Sequence, residues 1–100
     1  MLNKQDIFKT IQDNKETIKS FGVTQIGLFG SYSRDEQTST SDIDILVDYN
    51  LEEINFKKYF LFCEYLENLF QNYKVEIVTK NGLSEFIGPH ILKSVNYVSI

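Results

Sequence analysis

The sequence 23-VTQIGLFGSYSR-34, followed by 41-SDIDILVD-48, decides the fold of this chain. Residues 23–29 are mostly apolar and lead directly into Gly30-Ser31, which predicts a buried strand that ends in a turn towards a helix. Residues 42–48 alternate between acidic and aliphatic side chains, which predicts a second strand with one face in the core. The rest of the chain is interpreted outward from these two strands.

The hydrophobic pattern around them predicts helices and one further strand. Apolar residues at helical spacing predict a helix over residues 3–21, with Asn3 as its N-cap and Gly22 just beyond its end. The remaining predictions are a short helix and loop over 32–41, a long helix over 51–72, a third strand over 74–79, and one or two short helices over 83–100, broken near Gly88-Pro89. This order indicates an α/β or α+β domain over residues 1–100, with a small mixed sheet of about three strands flanked by helices.

Composition excludes several classes of protein. The chain has 100 residues, is 42% hydrophobic and contains one cysteine, which fits a single globular domain in a reducing, cytoplasmic compartment and excludes a disulfide scaffold. No signal peptide or membrane span is expected, because the apolar runs are too short. The net charge of −4 argues against direct nucleic-acid binding and is compatible with a site that collects divalent cations.

Three pieces of the sequence carry candidate chemistry. Gly30-Ser31 allows a ligand to approach the backbone closely, and a hydroxyl and free N–H groups there can hold a phosphate. Asp42 and Asp44 project from the same face of a strand, where two carboxylates repel each other unless a cation lies between them. Glu76 joins that cluster if the third strand lies beside the second. The alternatives are an ordinary turn and a solvated acidic edge strand.

Arg34 is the only arginine beside nine lysines, and its planar guanidinium suits phosphate oxygens. A surface residue without such a role is the alternative for it. His90, the only histidine, is expected to have a packing or capping role, and Cys63 is expected in the core. The aromatic residues of the long helix are expected to be mostly core, with some left over for an interface.

Taken together, these motifs resemble the DNA polymerase β-like nucleotidyltransferase superfamily, and in particular the minimal nucleotidyltransferase family. The family pattern is Gly-Ser, ten residues and Asp-x-Asp; here residues 32–41 are the ten, and Val75-Glu76-Ile77-Val78 matches the strand of the third carboxylate. The resemblance covers nearly the whole chain and implies a nucleotidyltransferase-fold core. The sequence departs from the family at Asp35, where many members have glycine, and at Glu76, where many superfamily members have aspartate.

The resemblance implies a role for each matching residue. Gly30 and Ser31, with Arg34 nearby, would bind the phosphates of a nucleoside triphosphate, most simply ATP. Asp42, Asp44 and Glu76 would be the catalytic carboxylates and would ligate Mg²⁺, with two ions expected. A hydroxyl of the acceptor would then attack the α-phosphate and pyrophosphate would leave. Such chemistry consists mostly of positioning and charge neutralisation.

The resemblance also suggests an acceptor. Minimal members of the family act as antitoxins of HEPN-domain toxin proteins, which implies transfer of AMP from ATP to a tyrosine of that partner, presented in trans, with homo- or hetero-oligomers expected. Two alternatives stay open. One is a binding antitoxin that keeps the fold and neutralises its partner without chemistry; the other is transfer to a small molecule such as an aminoglycoside.

Overall fold

A computed structural model describes residues 2–82 and 88–100 of the chain as a sheet of four strands with helices. The helices and strands, in chain order, are α1 (Lys4–Asp13), α2 (Lys15–Ser20), β1 (Val23–Phe29), β2 (Ile43–Tyr49), α3 (Phe56–Leu69), β3 (Val75–Thr79), α4 (Gly88–Ser94) and β4 (Asn96–Val98). Short 3-10 turns follow β1 at Ser31–Arg34 and β3 at Lys80–Gly82. The predicted class, a helix-flanked mixed sheet, is confirmed.

The strand order across the sheet is β3-β2-β1-β4. Strands β1 and β2 run antiparallel, with Leu28 opposite Ile45, and β4 runs antiparallel to β1, with Val98 opposite Ile26. Strand β3 runs parallel to β2, which requires a crossover connection, and α3 supplies it. The third strand therefore lies beside the acidic second strand.

The C-terminal tail differs from its prediction. Residues Asn96–Val98 form a fourth strand where only helices were expected, because three residues are too few to show the alternation of a strand. Gly27 of β1 makes room for this tail, since a β-carbon there would overlap the side chain of Val95. Gly88 and Pro89 are the first described residues of α4, and proline is tolerated in the first turn of a helix. The part of the prediction that falls on residues 83–87 lies outside the described residues.

The first predicted helix is divided into α1 and α2. Asn3 caps α1 as expected, and its side chain forms a reciprocal capping box with Asp6. The expectation of one continuous helix was wrong, because Asn14 leaves helical geometry between the two segments. Its side-chain amide donates to the carbonyl of Thr10 at 2.8 Å, and the hydroxyl of Tyr65 donates to its oxygen at 2.9 Å. A side chain from α3 thus fixes the bend.

The ends of two helices show how local chemistry sets their length. Helix α3 begins later than predicted, because the side chain of Asn55 accepts a hydrogen bond from the backbone N–H of Lys58 at 2.9 Å and caps the helix there. Gly22 follows α2 with φ of 91°, the left-handed conformation expected of a residue just past a helix end.

The core lies between one face of the sheet and helices α1 to α3. Alternate residues of β2 point into it, and its fully buried members include Ile7, Ile11, Ile18, Ile26, Leu28, Ile43, Ile45, Phe62 and Leu66. The opposite face of β2 carries Asp44, so the strand separates the core from the acidic residues. Among the described helices, none has the length and apolar character needed to cross a bilayer.

We predict that Phe62→Ala lowers the free energy of unfolding by about 3–5 kcal/mol, because the mutation leaves a cavity in the core. The Phe62 side chain is 1% exposed and its ring lies 5.8 Å from that of Phe21. Urea denaturation measures the change. The control is Phe56→Ala on the same helix: Phe56 is 88% exposed, and its loss should change the free energy of unfolding by about 0.5 kcal/mol or less. Equal losses in the two variants would contradict this description of the core.

Candidate active site

The turn after β1 brings the backbone against the acidic strand. Gly30 has φ of 75° and ψ of −157°, a conformation that L side chains rarely adopt. A β-carbon at this position would also overlap the carboxylate of Asp44. The hydroxyl of Ser33 donates to the Gly30 carbonyl at 2.7 Å and holds the turn in place. Gly30 is therefore required both by its backbone conformation and by the close approach of Asp44.

Asp44 and Glu76 lie side by side. The parallel register of β2 and β3 pairs these two residues, so both side chains project from the sheet face that is turned away from the helical core. Asp44 is partly buried, and its carboxyl group lies close enough to that of Glu76 for the two to interact. Glu76, the third candidate carboxylate, therefore lies beside the second strand, which is the condition for it to join the cluster.

Asp42 lies at the entrance to β2, one residue before the strand begins. Its carboxylate oxygen Oδ2 is 3.9 Å from Nζ of Lys74, and its side chain is 35% exposed. Asp42 is close enough for its charge to act on Asp44. Within residues 2–82 and 88–100, however, no group of three or more His, Cys, Asp or Glu side chains is arranged to hold a metal ion.

Burial and the neighbouring carboxylates disfavour the negative charge of Asp44. Burial, the charge of Glu76 and the hydrogen bond with Glu76 raise the pKa of Asp44 to about 6, with a smaller contribution from Asp42. The charge of Arg34 acts in the opposite direction. A proton or a cation at this position would relieve the repulsion between the carboxylates.

The carboxylates of this site fit a Mg²⁺ ion that is bound jointly by the protein and by its substrate. Mg²⁺ is usually bound by one or two carboxylates together with the oxygens of substrate phosphates. Asp44 and Glu76 supply such a pair, and Asp42 lies beside it. The assignment of all three residues as metal ligands stays a prediction.

Ser31 and Arg34 belong to the 3-10 turn that follows Gly30. Arg34 is about half exposed, and its Nε lies 3.3 Å from Oε2 of Glu36, an ion pair that is open to solvent. Asp35 closes the turn in the left-handed conformation, with φ of 56° and ψ of 33°. Aspartate tolerates this region better than most residues, which explains how it stands where the family pattern has glycine.

A cleft of about 350 Å³ opens between this turn and α4. Its lining residues are Phe29, Gly30, Arg34, His90, Ile91 and Ser94. For His90 a packing or capping role was expected, and packing was wrong, because the side chain is exposed in the wall of this cleft. No local signal in the sequence indicated this position, since α4 is brought to the turn by the unpredicted pairing of β4 with β1.

A second, larger groove of about 560 Å³ lies at the other end of β2. It is lined by Tyr49, Leu51, Ile54, Asn55, Phe56, Tyr59, Phe60 and Cys63. Cys63, expected in the core, is only partly buried here, because the start of α3 leaves this groove open. The groove is larger than the cleft, but its lining includes no carboxylate among the described residues, so we place the candidate active site at Gly30, Asp44 and Glu76.

Comparisons with known proteins agree with this geometry. The family profile of the nucleotidyltransferase domain matches residues 9–97. Protein adenylyltransferase MntA of Thermococcus cleftensis is 40% identical over 100 residues, which cover 98% of this chain and 98% of the relative. The length of this chain therefore corresponds to the length of that relative.

Solved structures give the same result. One that is provisionally named a minimal nucleotidyltransferase matches with a TM-score of 0.69 and 25% identity, covering 93% of this chain and 95% of that chain. A crystal structure of a toxin-antitoxin with AMP-PNP matches with a TM-score of 0.64 and 25% identity, covering 96% of this chain and 72% of the other. The chain belongs to the nucleotidyltransferase domain family, and within it the chain is a minimal nucleotidyltransferase.

Proposed function

We propose that this protein transfers AMP from ATP to a hydroxyl group of a partner protein in a Mg²⁺-dependent reaction. The observation that carries the proposal is the contact between the Gly30 backbone and Asp44, whose neighbour on β3 is Glu76. A phosphate held at the turn would lie beside the carboxylates. The name of the Thermococcus relative, a protein adenylyltransferase, and the AMP-PNP in the toxin-antitoxin structure support the same reaction.

Each residue has a separate task in this reaction. Gly30 and Ser31 hold the β- and γ-phosphates, and Arg34 adds its positive charge near them. Asp42, Asp44 and Glu76 would hold Mg²⁺, as one ion or two, and bound Mg²⁺ supplies charge neutralisation on the phosphates and a lowered pKa of the acceptor hydroxyl.

The reaction exchanges one bond to phosphorus for another. The acceptor oxygen forms a bond to the α-phosphorus, and the bond from the α-phosphorus to the oxygen that bridges it to the β-phosphate breaks. Pyrophosphate leaves with that electron pair, and the hydroxyl proton passes to the carboxylate of Glu76. The short distance from Gly30 to Asp44 keeps donor and carboxylates together during this exchange.

The acceptor we propose is a tyrosine of a HEPN-domain toxin, so that the protein acts as an antitoxin in the cytoplasm. The structural relative that is a toxin-antitoxin supports this choice. The alternative is an antitoxin that neutralises its partner by binding alone. The apolar groove at the start of α3 favours that alternative, because Phe56 and Phe60 expose large aromatic surfaces there, 88% and 57% respectively.

We predict that Asp44→Asn lowers AMP transfer by at least about a hundredfold, because the variant removes a charge that must face the nucleotide and its metal. The assay incubates the protein with ATP, Mg²⁺ and the proposed HEPN-domain toxin, and intact mass spectrometry follows the addition of AMP units to the toxin. The matched control is Asp48→Asn, which makes the same change at the other end of the same strand and should retain full activity. Unchanged transfer by Asp44→Asn would contradict the proposed role of this carboxylate.

The double variant Asp42→Asn/Asp44→Asn separates catalysis from binding. If neutralisation needs AMP transfer, this variant should still bind the toxin but leave the toxin active in a cell-growth assay. If binding alone neutralises the toxin, the variant should protect the cells as well as the wild-type protein does, and the catalytic proposal for the antitoxin role would be wrong.

We also predict that Asp44→Asn stabilises the metal-free protein at pH 8. Since the pKa of Asp44 is raised from 3.8 to about 6, the folded protein holds the proton more tightly than the unfolded chain. The associated stability is present below about pH 4 and is lost as the pH rises through about 6. Removal of the charge should raise the free energy of unfolding at pH 8 by about 1–2 kcal/mol, a range reduced for solvent screening.

Urea denaturation at pH 8 in the presence of EDTA measures this difference, and the same variant at pH 4 should differ from the wild type by much less. Asp48→Asn again serves as the control, because it makes the same change on the same strand away from Glu76. An equal effect of Asp44→Asn at the two pH values would contradict the electrostatic explanation.

A further inference from the structure

The cleft beside the active site has basic side chains in its lining, although the chain as a whole is acidic. Acidic residues outnumber basic ones 14 to 10 in the chain. Yet the described residues that line the cleft include Arg34 and His90 and no carboxylate. Its volume of about 350 Å³ falls within the range of small-molecule sites. The charge of its lining favours an anionic ligand.

Gly30 forms the boundary between the cleft and the carboxylates. It lines the cleft, and it also contacts the carboxylate of Asp44. A polyphosphate held at Gly30 therefore has acidic residues on one side and Arg34 and His90 on the other. Carboxylates repel any phosphate group whose charge is not neutralised by a metal ion. Such phosphate groups should therefore lie on the cleft side of Gly30.

Two side chains of the cleft can donate hydrogen bonds to phosphate oxygens: the guanidinium of Arg34 and the imidazole of His90. The hydroxyl of Ser94 instead donates to the backbone carbonyls of His90 and Ile91, at 3.2 and 3.1 Å. His90 and Ser94 lie four residues apart on α4, and they share one face of the helix. Phe29 and Ile91 supply apolar walls beside these donors.

We propose that His90 is a nucleotide-binding residue, and that the polyphosphate of bound ATP runs from the Gly30 turn towards α4, where the imidazole of His90 donates a hydrogen bond to a phosphate oxygen. The inference rests on the proposed use of a nucleoside triphosphate. It adds α4, which the sequence motifs do not include, to the binding site.

The single histidine makes a direct test possible. Because the chain has one histidine, the imidazole Hε1 signal in a proton NMR spectrum belongs to His90 without further assignment. Titration with AMP-PNP and Mg²⁺ should move this signal in a saturable way. Inorganic tripolyphosphate with Mg²⁺ should also move it, whereas adenosine should not, because the contact is made to phosphate.

Thermal unfolding in the same samples separates two kinds of failure. If AMP-PNP raises Tm while the His90 signal stays in place, nucleotide binding stands and the role of His90 is overturned. If neither AMP-PNP nor another nucleoside triphosphate raises Tm or moves the signal, the proposed function itself fails. A signal that responds to adenosine and not to tripolyphosphate would place the base, not the phosphates, against α4 and would overturn the proposal.

Steady-state kinetics give a second test. His90→Ala should raise the KM for ATP about tenfold and change kcat by less than about threefold, as expected for loss of a binding contact to an ionised phosphate. His90→Arg should restore most of the affinity, because arginine also donates to phosphate. Lys93→Ala on the same helix removes a positive charge outside the cleft lining and should change KM by less than about twofold. Equal KM values for the two alanine variants would overturn the proposal.

Discussion

The parallel pairing of β2 with β3 is the constraint on which the site depends. It places Asp44 beside Glu76 and directs both away from the core that Ile43 and Ile45 enter from the same strand. A shift of one residue in this register would turn one carboxylate into the core and separate the pair. Helix α3 connects β2 to β3, and its residues Phe62 and Leu66 are buried in the core against the sheet. This packing fixes the register of the two strands.

The arrangement holds carboxylates that repel each other close together. Charges that repel are held together by a core on the other face of the sheet, so the stability of that core offsets the strain of the carboxylates. The cleft on the far side of Gly30 has the opposite character, with Arg34 and His90 in its walls. The two regions meet at a single glycine, so a polyphosphate bound there as proposed would have carboxylates on one side and Arg34 and His90 on the other.

Much of this fold could be predicted from the sequence because its signals are local. Strand β1 was placed at its observed bounds, and the alternation in β2 correctly separated Asp44 from Ile43 and Ile45. The features that were missed depend on tertiary contacts. Asn14 divides a helix through a hydrogen bond with Tyr65, which is 51 residues away along the chain.

The same difference between local signals and tertiary contacts explains which parts of the site could be predicted. The spacing of Gly30, Asp42 and Asp44 indicated it, because those residues lie near each other along the chain. The position of His90 depends on β4, a strand of three residues that is recognisable only when it is paired with β1. Contacts between distant segments of this kind leave no periodic pattern in the sequence.

The contact between Gly30 and Asp44 also has a consequence for evolution. A β-carbon at position 30 would overlap the carboxylate of Asp44, so substitution of the glycine requires the aspartate side chain to move as well as a residue that accepts the positive φ. Replacement of Asp44 by a smaller residue removes the overlap with the carboxylate, and the cost of the positive φ remains. Descendants that abandon the chemistry should therefore lose the acid first and the glycine afterwards, and a homologue that has kept the acid but lost the glycine must have moved the carboxylate or rebuilt the turn.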